Sequence, residues 1–426
     1  MLSMFRRSGP RAVSAGVAAA LACIAFAAHG ESPLRLTLRE AQALAQANNP
    51  ALRTALAGLE VAKASRDEAR SLFHSNPELT GDVGRRRAQG QAGRDWSLGI
   101  AQEIEIGGQP RLRREAAALE FEAARASLEE QRRTLAAEVE RRFFLLLALQ
   151  SRQSSEAGAL RLVEQSAELA RKRHAAGEGT RLDTNLAEVE AARFRNHVSR
   201  LGEELLVAGA AFASVLQLAP GTRAQAVGEL RLAPVAAPTE ATIEALRERP
   251  LLRGLSLREQ SAARRLDLER AARTPNLTLG LSTGQEAVGI APESITTLSV
   301  SLPLPLFKRN HAGIAQAASD LLKAQAELQS TLRDARADVL ALQERARSLE
   351  SRAATLERDV LPRLEENLVL SRKALAAGEA SLPEILLVNR QAMEARLDLH
   401  QAILEHELVR IDLQQATGRA NPGEQP

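Results

Sequence analysis

Apolar positions recur with two different periods along this chain, and the switch between them predicts the same series of elements twice. From Leu328 the spacing alternates four and three, through Leu332, Ala335, Val339, Leu342, Ala346, Leu349, Ala353, Leu356 and Val360. A heptad repeat keeps one narrow seam on one side of a helix, which is coiled-coil geometry. The same register passes through Leu128, Leu135, Val139, Leu146, Leu149 and Leu160, with Arg132 and Arg142 interrupting it. Long helices are predicted over 111–174 and 311–375, with Pro362 as the one internal proline. At 1.5 Å per residue each spans roughly 100 Å, more than any compact domain needs.

Ahead of each long helix the period falls to 2. Trp96, Leu98, Ile100, Ile104 and Ile106 alternate with Asp95, Ser97, Gly99, Glu103 and Glu105. In the second half Leu298, Val300, Leu302, Leu304 and Leu306 alternate with Thr297, Ser299, Ser301, Pro303 and Pro305. Glu78 to Val83 and Asn276 to Thr283 alternate as well, so the pattern predicts four strands per chain in two hairpins.

Each half opens with a helical stretch, 37–73 and 240–273, divided by Pro50 and Pro250, which are disfavoured inside helices. After each long helix an Ala-Ala-Gly-Glu turn leads into a return helix, over 183–218 and 383–417. Gly177 and Gly378 suit the left-handed conformation that closes a helix, and Thr180 and Ser381 suit the N-cap of the return. The halves match at an offset of about 200: Asn49-Pro50-Ala51-Leu52 with Arg249-Pro250-Leu251-Leu252, and Ala175-Ala176-Gly177-Glu178 with Ala376-Ala377-Gly378-Glu379. The expected organisation is a first repeat over 31–220, a linker over 221–238, a second repeat over 239–418 and a tail over 419–426. The fold class is mainly α with a small β part: antiparallel coiled-coil hairpins plus four strands per chain.

Residues 1–30 place Arg6, Arg7 and Arg11 before a small-apolar run, the pattern of a secretory signal peptide. Cleavage after Ala27 and after Gly30 both fit. Cys23, the single cysteine, lies inside that run, so the mature chain carries no disulfide. Ala20-Leu21-Ala22-Cys23 is a loose lipoprotein site with its leucine one position late. Three of the 56 Lys and Arg residues and none of the 53 Asp and Glu fall in this segment, which leaves the rest formally neutral and removes the case for a nucleic-acid partner. Aromatics make up 2% of the chain and Tyr is absent, so packing between helices falls to Ala and Leu.

A strand with one apolar and one small-polar face fits the wall of a transmembrane barrel. Four strands close no barrel, and an open edge in lipid leaves its N–H and C=O groups unsatisfied. Several chains must then share one barrel: two give eight strands around a filled interior, whereas three give twelve and room for a conduit.

These features, together with Leu36-Thr-Leu-Arg-Glu-Ala-Gln-Ala-Leu-Ala-Gln-Ala-Asn-Asn-Pro50 and the ending Gln414-Gln415-Ala416-Thr417-Gly418, resemble the TolC-like outer-membrane factors of efflux and type I secretion systems. Asn76-Pro77-Glu78-Leu79 and Gln102-Glu-Ile-Glu-Ile-Gly-Gly-Gln109 look most like the heavy-metal branch of that family, the CzcC and CusC branch. The resemblance implies a homotrimer with a twelve-stranded outer-membrane barrel in lipid, continued by a periplasmic α-helical tunnel. It also implies a periplasmic adaptor and an inner-membrane RND-type pump as partners, with heavy-metal cations or small toxic compounds as cargo. Export of proteins by a type I system is the alternative within the class. A periplasmic coiled-coil adaptor or scaffold is the alternative outside it.

No enzymatic chemistry stands out. Gly177-Glu178-Gly179 lacks the lysine and glycine spacing of a phosphate loop, and the carboxylates lie among basic residues on helices. His400 and His406, six residues apart on a helix, do not align for one ion, so neither a metal site nor a cofactor is expected. Gly177, Thr180 and Asp183, with Gly378, Ser381 and Glu384, match the family's tip pattern, and the resemblance places them at the periplasmic mouth, against the adaptor. The same residues read equally well as capping boxes that any helix start uses.

Overall fold

The computed structural model describes residues 33–88, 91–232, 235, 243–288, 291–377 and 380–418. The expected signal segment over 1–30, the expected tail over 419–426 and Gly378 lie outside the described residues. The first half contains β1 (Leu34–Leu36), α1 (Leu38–Asn48), α2 (Pro50–Glu68), β2 (Glu78–Ala88), β3 (Gln91–Ile104), α3 (Gln109–Ala175) and α4 (Arg181–Val215). After β4 (Ala224–Ala226) and a short 3-10 turn (Ala245–Glu248), the second half contains α5 (Pro250–Ala271), β5 (Leu277–Val288), β6 (Ala291–Ser301), α6 (His311–Thr355), α7 (Leu361–Ala377) and α8 (Leu382–Thr417).

Local chemistry accounts for most boundaries. Thr37 caps α1 in a full capping box with Glu40, and its hydrogen bonds hold the Glu40 carboxylate below the usual range. Pro50 occupies the first position of α2, where its missing N–H is harmless, and Asn49 caps that helix through Ala51 N–H at 2.9 Å. α3 runs 67 residues without interruption. Its counterpart differs from the sequence expectation, because a π turn over Leu356–Val360 separates α6 from α7. Pro362 stands two residues past the turn, which widens because the proline ring has no N–H to donate and crowds the carbonyl four residues back, that of Arg358.

The strands also depart from the sequence reading. β2 and β5 extend well past Val83 and Thr283, whereas β6 ends at Ser301, before Pro303 and Pro305, which cannot donate to a ladder. Leu302, Leu304 and Leu306 are therefore exposed residues beyond the sheet. The two hairpins form one antiparallel sheet in the order β2-β3-β5-β6. A second, parallel pairing of β1 with β4 was not anticipated: Ala224 and Ala226 lie in the expected linker, and both are buried in the first-half core.

The seam packs as the heptad implies. Ala335, Val339, Ala346, Leu349 and Ala353 are buried on α6, and Leu135, Val139 and Leu146 on α3. Three of the few aromatics cluster where α3 meets α4, with Phe143 edge-on to Phe144 and Phe212 at centroid separations of 5.6 and 6.0 Å. The opening helices cover the long ones. α5 lies against α3, where Ser261 Oγ donates to the Ala116 carbonyl at 3.0 Å and Arg249 pairs with Glu130 at 2.6 Å.

A charged chain crosses this helical body. Arg410 of α8 reaches Glu140 of α3 at 2.7 Å and Glu407 at 2.8 Å, while His406, wholly buried, meets Glu350 of α6 at 3.2 Å. Glu350 also accepts the Val235 N–H at 3.0 Å, tying the inter-repeat segment to α6. Burial raises the Glu140 carboxyl above its usual range, although Arg410 opposes that shift. A folded-state pKa above the unfolded value means that protons are taken up on folding, so this stability is present in acid and lost as pH rises through the folded pKa. Compared with Glu140→Gln, the wild-type chain is expected to lose thermal stability as pH rises from about 4 to 7. Melting followed by far-ultraviolet circular dichroism checks the sign of that difference.

Candidate conduit wall, junction and periplasmic tip

The sheet separates its side chains by chemistry. Cross-strand partners share a face, so the register places Thr80 with Gly99, Ser282 and Thr297, and Asp82 with Ser97, Gly284 and Ile295. Gly84 with Asp95, and Glu286 with Glu293, continue this small-polar face toward the hairpin ends. The opposite face carries Leu79 with Ile100 and Leu281 with Leu298, together with Val83, Trp96, Leu98, Leu279 and Val300, all exposed in the single chain. From Ile104 to Trp96 is eight residues, roughly 27 Å along a strand and about 20 Å along a membrane normal at a barrel's tilt. That height suits the apolar band of a barrel. No helix of the described residues is long and apolar enough to cross a membrane.

Trp96, the lone tryptophan, stands at the end of this band farthest from the helices, and its Nε1–H donates to Gln285 Oε1 at 3.4 Å. An indole with an apolar body and a hydrogen-bonded edge suits a membrane interface.

Two matching junctions join strands to long helices. Before α3 the chain turns through Gly108 at φ 82°, and before α6 through Asn310 at φ 54°. Both fasten to the C-terminal end of α5. The Gln109 amide donates to the carbonyls of Ala271 and Thr274 at 3.4 and 3.3 Å, and the Asn310 amide donates to the Glu269 carbonyl at 3.0 Å. Asn276 donates to Glu103 at 2.8 Å, and Arg113 grips Glu105 in a bidentate pair. The Gln102-to-Gln109 motif is thus the clamp between sheet and helices, a role that its sequence did not disclose.

At the far end of α3, Gly177 adopts φ 77°, Glu178 N–H bonds to the Arg173 carbonyl at 2.8 Å, and nothing would crowd an added side chain at the glycine. Thr180 caps α4. Asp183 accepts its N–H at 3.2 Å and its hydroxyl at 2.7 Å, while Thr180 Oγ1 accepts the Asp183 N–H at 3.1 Å. In the second tip Glu384 accepts the Ser381 N–H at 3.0 Å. The structure therefore joins Thr180 to Asp183 and Ser381 to Glu384 as caps. Leu382 then packs into the cluster of Val163, Ala167, Ala170, Ala187 and Ala191, which brings the two hairpins side by side. Sequence reading missed the apolar residues left exposed around these tips, including Leu182, Leu186 and Val189 at helical spacing on α4. Their signal was the 4-and-3 spacing on a return helix already supplied with a buried face. Among the described residues no group of three His, Cys, Asp or Glu is placed to hold a metal ion.

Residues 42–216 and 242–419 each match the outer membrane efflux protein family, and the chain belongs to that family. It is an outer-membrane efflux channel protein, in a family of transport conduits and not of enzymes. It is 26% identical over 362 residues to the cobalt-zinc-cadmium resistance protein CzcC of Cupriavidus metallidurans, with 85% of each chain covered. Among solved structures, CusC superposes with a TM-score of 0.75 at 20% identity, covering 89% of this chain and 92% of that one. The CmeC outer membrane channel of Campylobacter jejuni superposes with a TM-score of 0.75 at 16% identity, covering 89% and 85%.

Gly284 offers a local check on the wall. A Cβ there would collide with the Trp96 carbonyl oxygen and stand 3.0 Å from Ser97 Cα, at the seam where β3 of one hairpin pairs with β5 of the other. Gly284→Val is expected to break this pairing and to lower the strand content and the oligomer yield of the purified protein, read by circular dichroism and by chemical cross-linking. Thr283→Val, on the lipid-facing side of the same strand, is expected to preserve both.

Proposed function

We propose that three copies of this chain close a twelve-stranded barrel and a periplasmic helical tunnel, forming the passive outer-membrane conduit of an RND-type efflux system. The observation that carries this reading is the four-stranded sheet with β2 and β6 as free edges and one face that exposes a band of large apolar side chains from Leu79, Ile100, Leu281 and Leu298 to Trp96. Backbone groups left unpaired in hydrocarbon cost several kcal/mol each, and pairing β2 of one copy with β6 of the next removes every edge. The exposed apolar residues on α3 and α4 supply matching contacts between copies along the tunnel. A periplasmic adaptor and an inner-membrane pump complete the path.

Divalent heavy-metal cations are the proposed cargo, on two grounds. The relative CzcC is a cobalt-zinc-cadmium resistance protein. In this chain, the conduit-facing side of the sheet near the hairpin ends holds Asp82, Asp95, Glu286 and Glu293 against Arg86 alone, an excess of negative charge that concentrates cations. Asp183 and Glu384 extend this selectivity to the periplasmic mouth while also serving as caps, and the adaptor engages the tips beside Gly177. The counterpart glycine, Gly378, is assigned the same role by its place in the repeat.

Purified protein in planar bilayers is expected to form cation-selective channels. Asp183→Asn combined with Glu384→Gln keeps side-chain size and much of the capping capacity, and is expected to reduce cation preference. Unchanged selectivity and conductance would leave both acids as caps only.

A further inference from the structure

The hairpin β2–β3 carries three arginines on its lipid side, just beyond the apolar band. Arg85, Arg86 and Arg87 are consecutive, so their side chains alternate between faces. Arg86 points to the conduit side, where it meets Asp95 at 3.0 Å and Glu286 at 3.1 Å. Arg85 and Arg87 point the other way, along the line continued by Val83 and Leu79. Arg94 shares their face, because its Cα pairs directly with that of Arg85. All three are exposed, and none makes an ion pair among the described residues.

This arrangement is unfavourable in isolation. Like charges directly opposite on an antiparallel ladder repel, and Arg87 sits on the diagonal, roughly 7–8 Å from Arg94. Acids do occur on this hairpin, yet Asp82 and Asp95 lie on the other face. On the lipid side, the neighbouring positions are Gln285 and Ala287 on β5. On β6, which the proposed trimer brings beside β2 of the next copy, they are Thr296 and Ser294. No strand on either flank supplies a carboxylate to neutralise the cluster.

The site is continuous with the membrane-facing surface. Arg94 is two residues, about 7 Å along the strand, past Trp96, which marks the edge of the apolar band. A guanidinium at that height lies level with lipid headgroups, at the end of the barrel farthest from the periplasmic helices. Guanidinium groups bind phosphate bidentately, and three at this spacing can span more than one phosphate.

We propose that Arg85, Arg87 and Arg94 form a binding site for a phosphorylated lipid of the outer leaflet, one per protomer, with acyl chains against Val83, Trp96 and Leu98. The proposal rests on the barrel reading above. Bound lipid anchors the outer rim of a barrel otherwise poor in aromatic residues.

The test uses the full-length mature protein in detergent, with bisphosphorylated lipid A as probe and binding read by native mass spectrometry. Wild type is expected to retain lipid A, and Arg85→Gln/Arg87→Gln/Arg94→Gln to bind it at least about tenfold more weakly. Arg85→Lys/Arg87→Lys/Arg94→Lys is expected to recover part of the affinity. Equal binding by wild type and the glutamine variant would overturn the proposal, as would equal retention by wild type of lipid A stripped of its phosphates. Displacement by inorganic phosphate at concentrations equal to the lipid would identify a free-anion site and overturn the lipid assignment. Channel conductance and trimer mass of the same glutamine variant are measured in parallel. Their loss in wild type as well would indict the barrel reading, whereas intact channels with unchanged lipid binding indict this site alone.

Discussion

Everything in this architecture follows from the requirement that backbone hydrogen bonds be satisfied where no water can satisfy them. A sheet of four strands has two edges, and lipid tolerates neither. The chain by itself is therefore incomplete, and the features that look wasteful in one copy, such as the exposed Leu298 and Val300 on the sheet and the exposed Leu182, Leu186 and Val189 near the tips, are those an assembly covers. The same requirement explains why strands and helices are kept apart. The strands span the lipid. The helices, too polar to enter it, carry the passage onward in water.

Joining the two parts is the second demand, and the molecule meets it with one helix end. Both long helices begin at a left-handed residue, and both are tied through an amide side chain to the last turn of α5. A clamp at this point fixes the direction in which both long helices leave the sheet. The buried chain from Glu140 through Arg410 and Glu407, with His406 on Glu350, fixes the relative position of α3, α6 and α8 farther along.

Much of this was legible in the sequence because period and punctuation are local signals. The heptad seam at Ala335, Val339 and Ala346, the breaks at Pro50 and Pro250, and the caps at Thr180 and Ser381 depend only on nearby residues. The strand alternation was legible too, but its limits were not: Leu304 and Leu306 kept the period past the point where Pro303 and Pro305 withdrew the ladder donors. The β1–β4 pair escaped notice because each strand has three residues and its partner lies about 190 positions away. The roles of Gln109 and Asn310 depend on which helix end they meet, a matter of tertiary packing. Capping at the tips was visible in the sequence, whereas the proposed place of these residues at a periplasmic mouth depends on assembly and not on any residue's chemistry.

The most direct test of the account is whether β2 of one copy lies beside β6 of another. Within one chain these strands are separated by β3 and β5, three strand spacings or about 14 Å, too far for a disulfide. Cys23 is the only native cysteine and lies in the expected signal segment, so single-cysteine variants serve as the control for each engineered pair. Asp82→Cys combined in turn with Ile295→Cys, Thr297→Cys or Ser299→Cys keeps both thiols on the conduit face. Oxidation of at least one pair in outer membranes is expected to give covalent dimers and trimers that dissolve on reduction. Monomers throughout, with every strand folded, would contradict it.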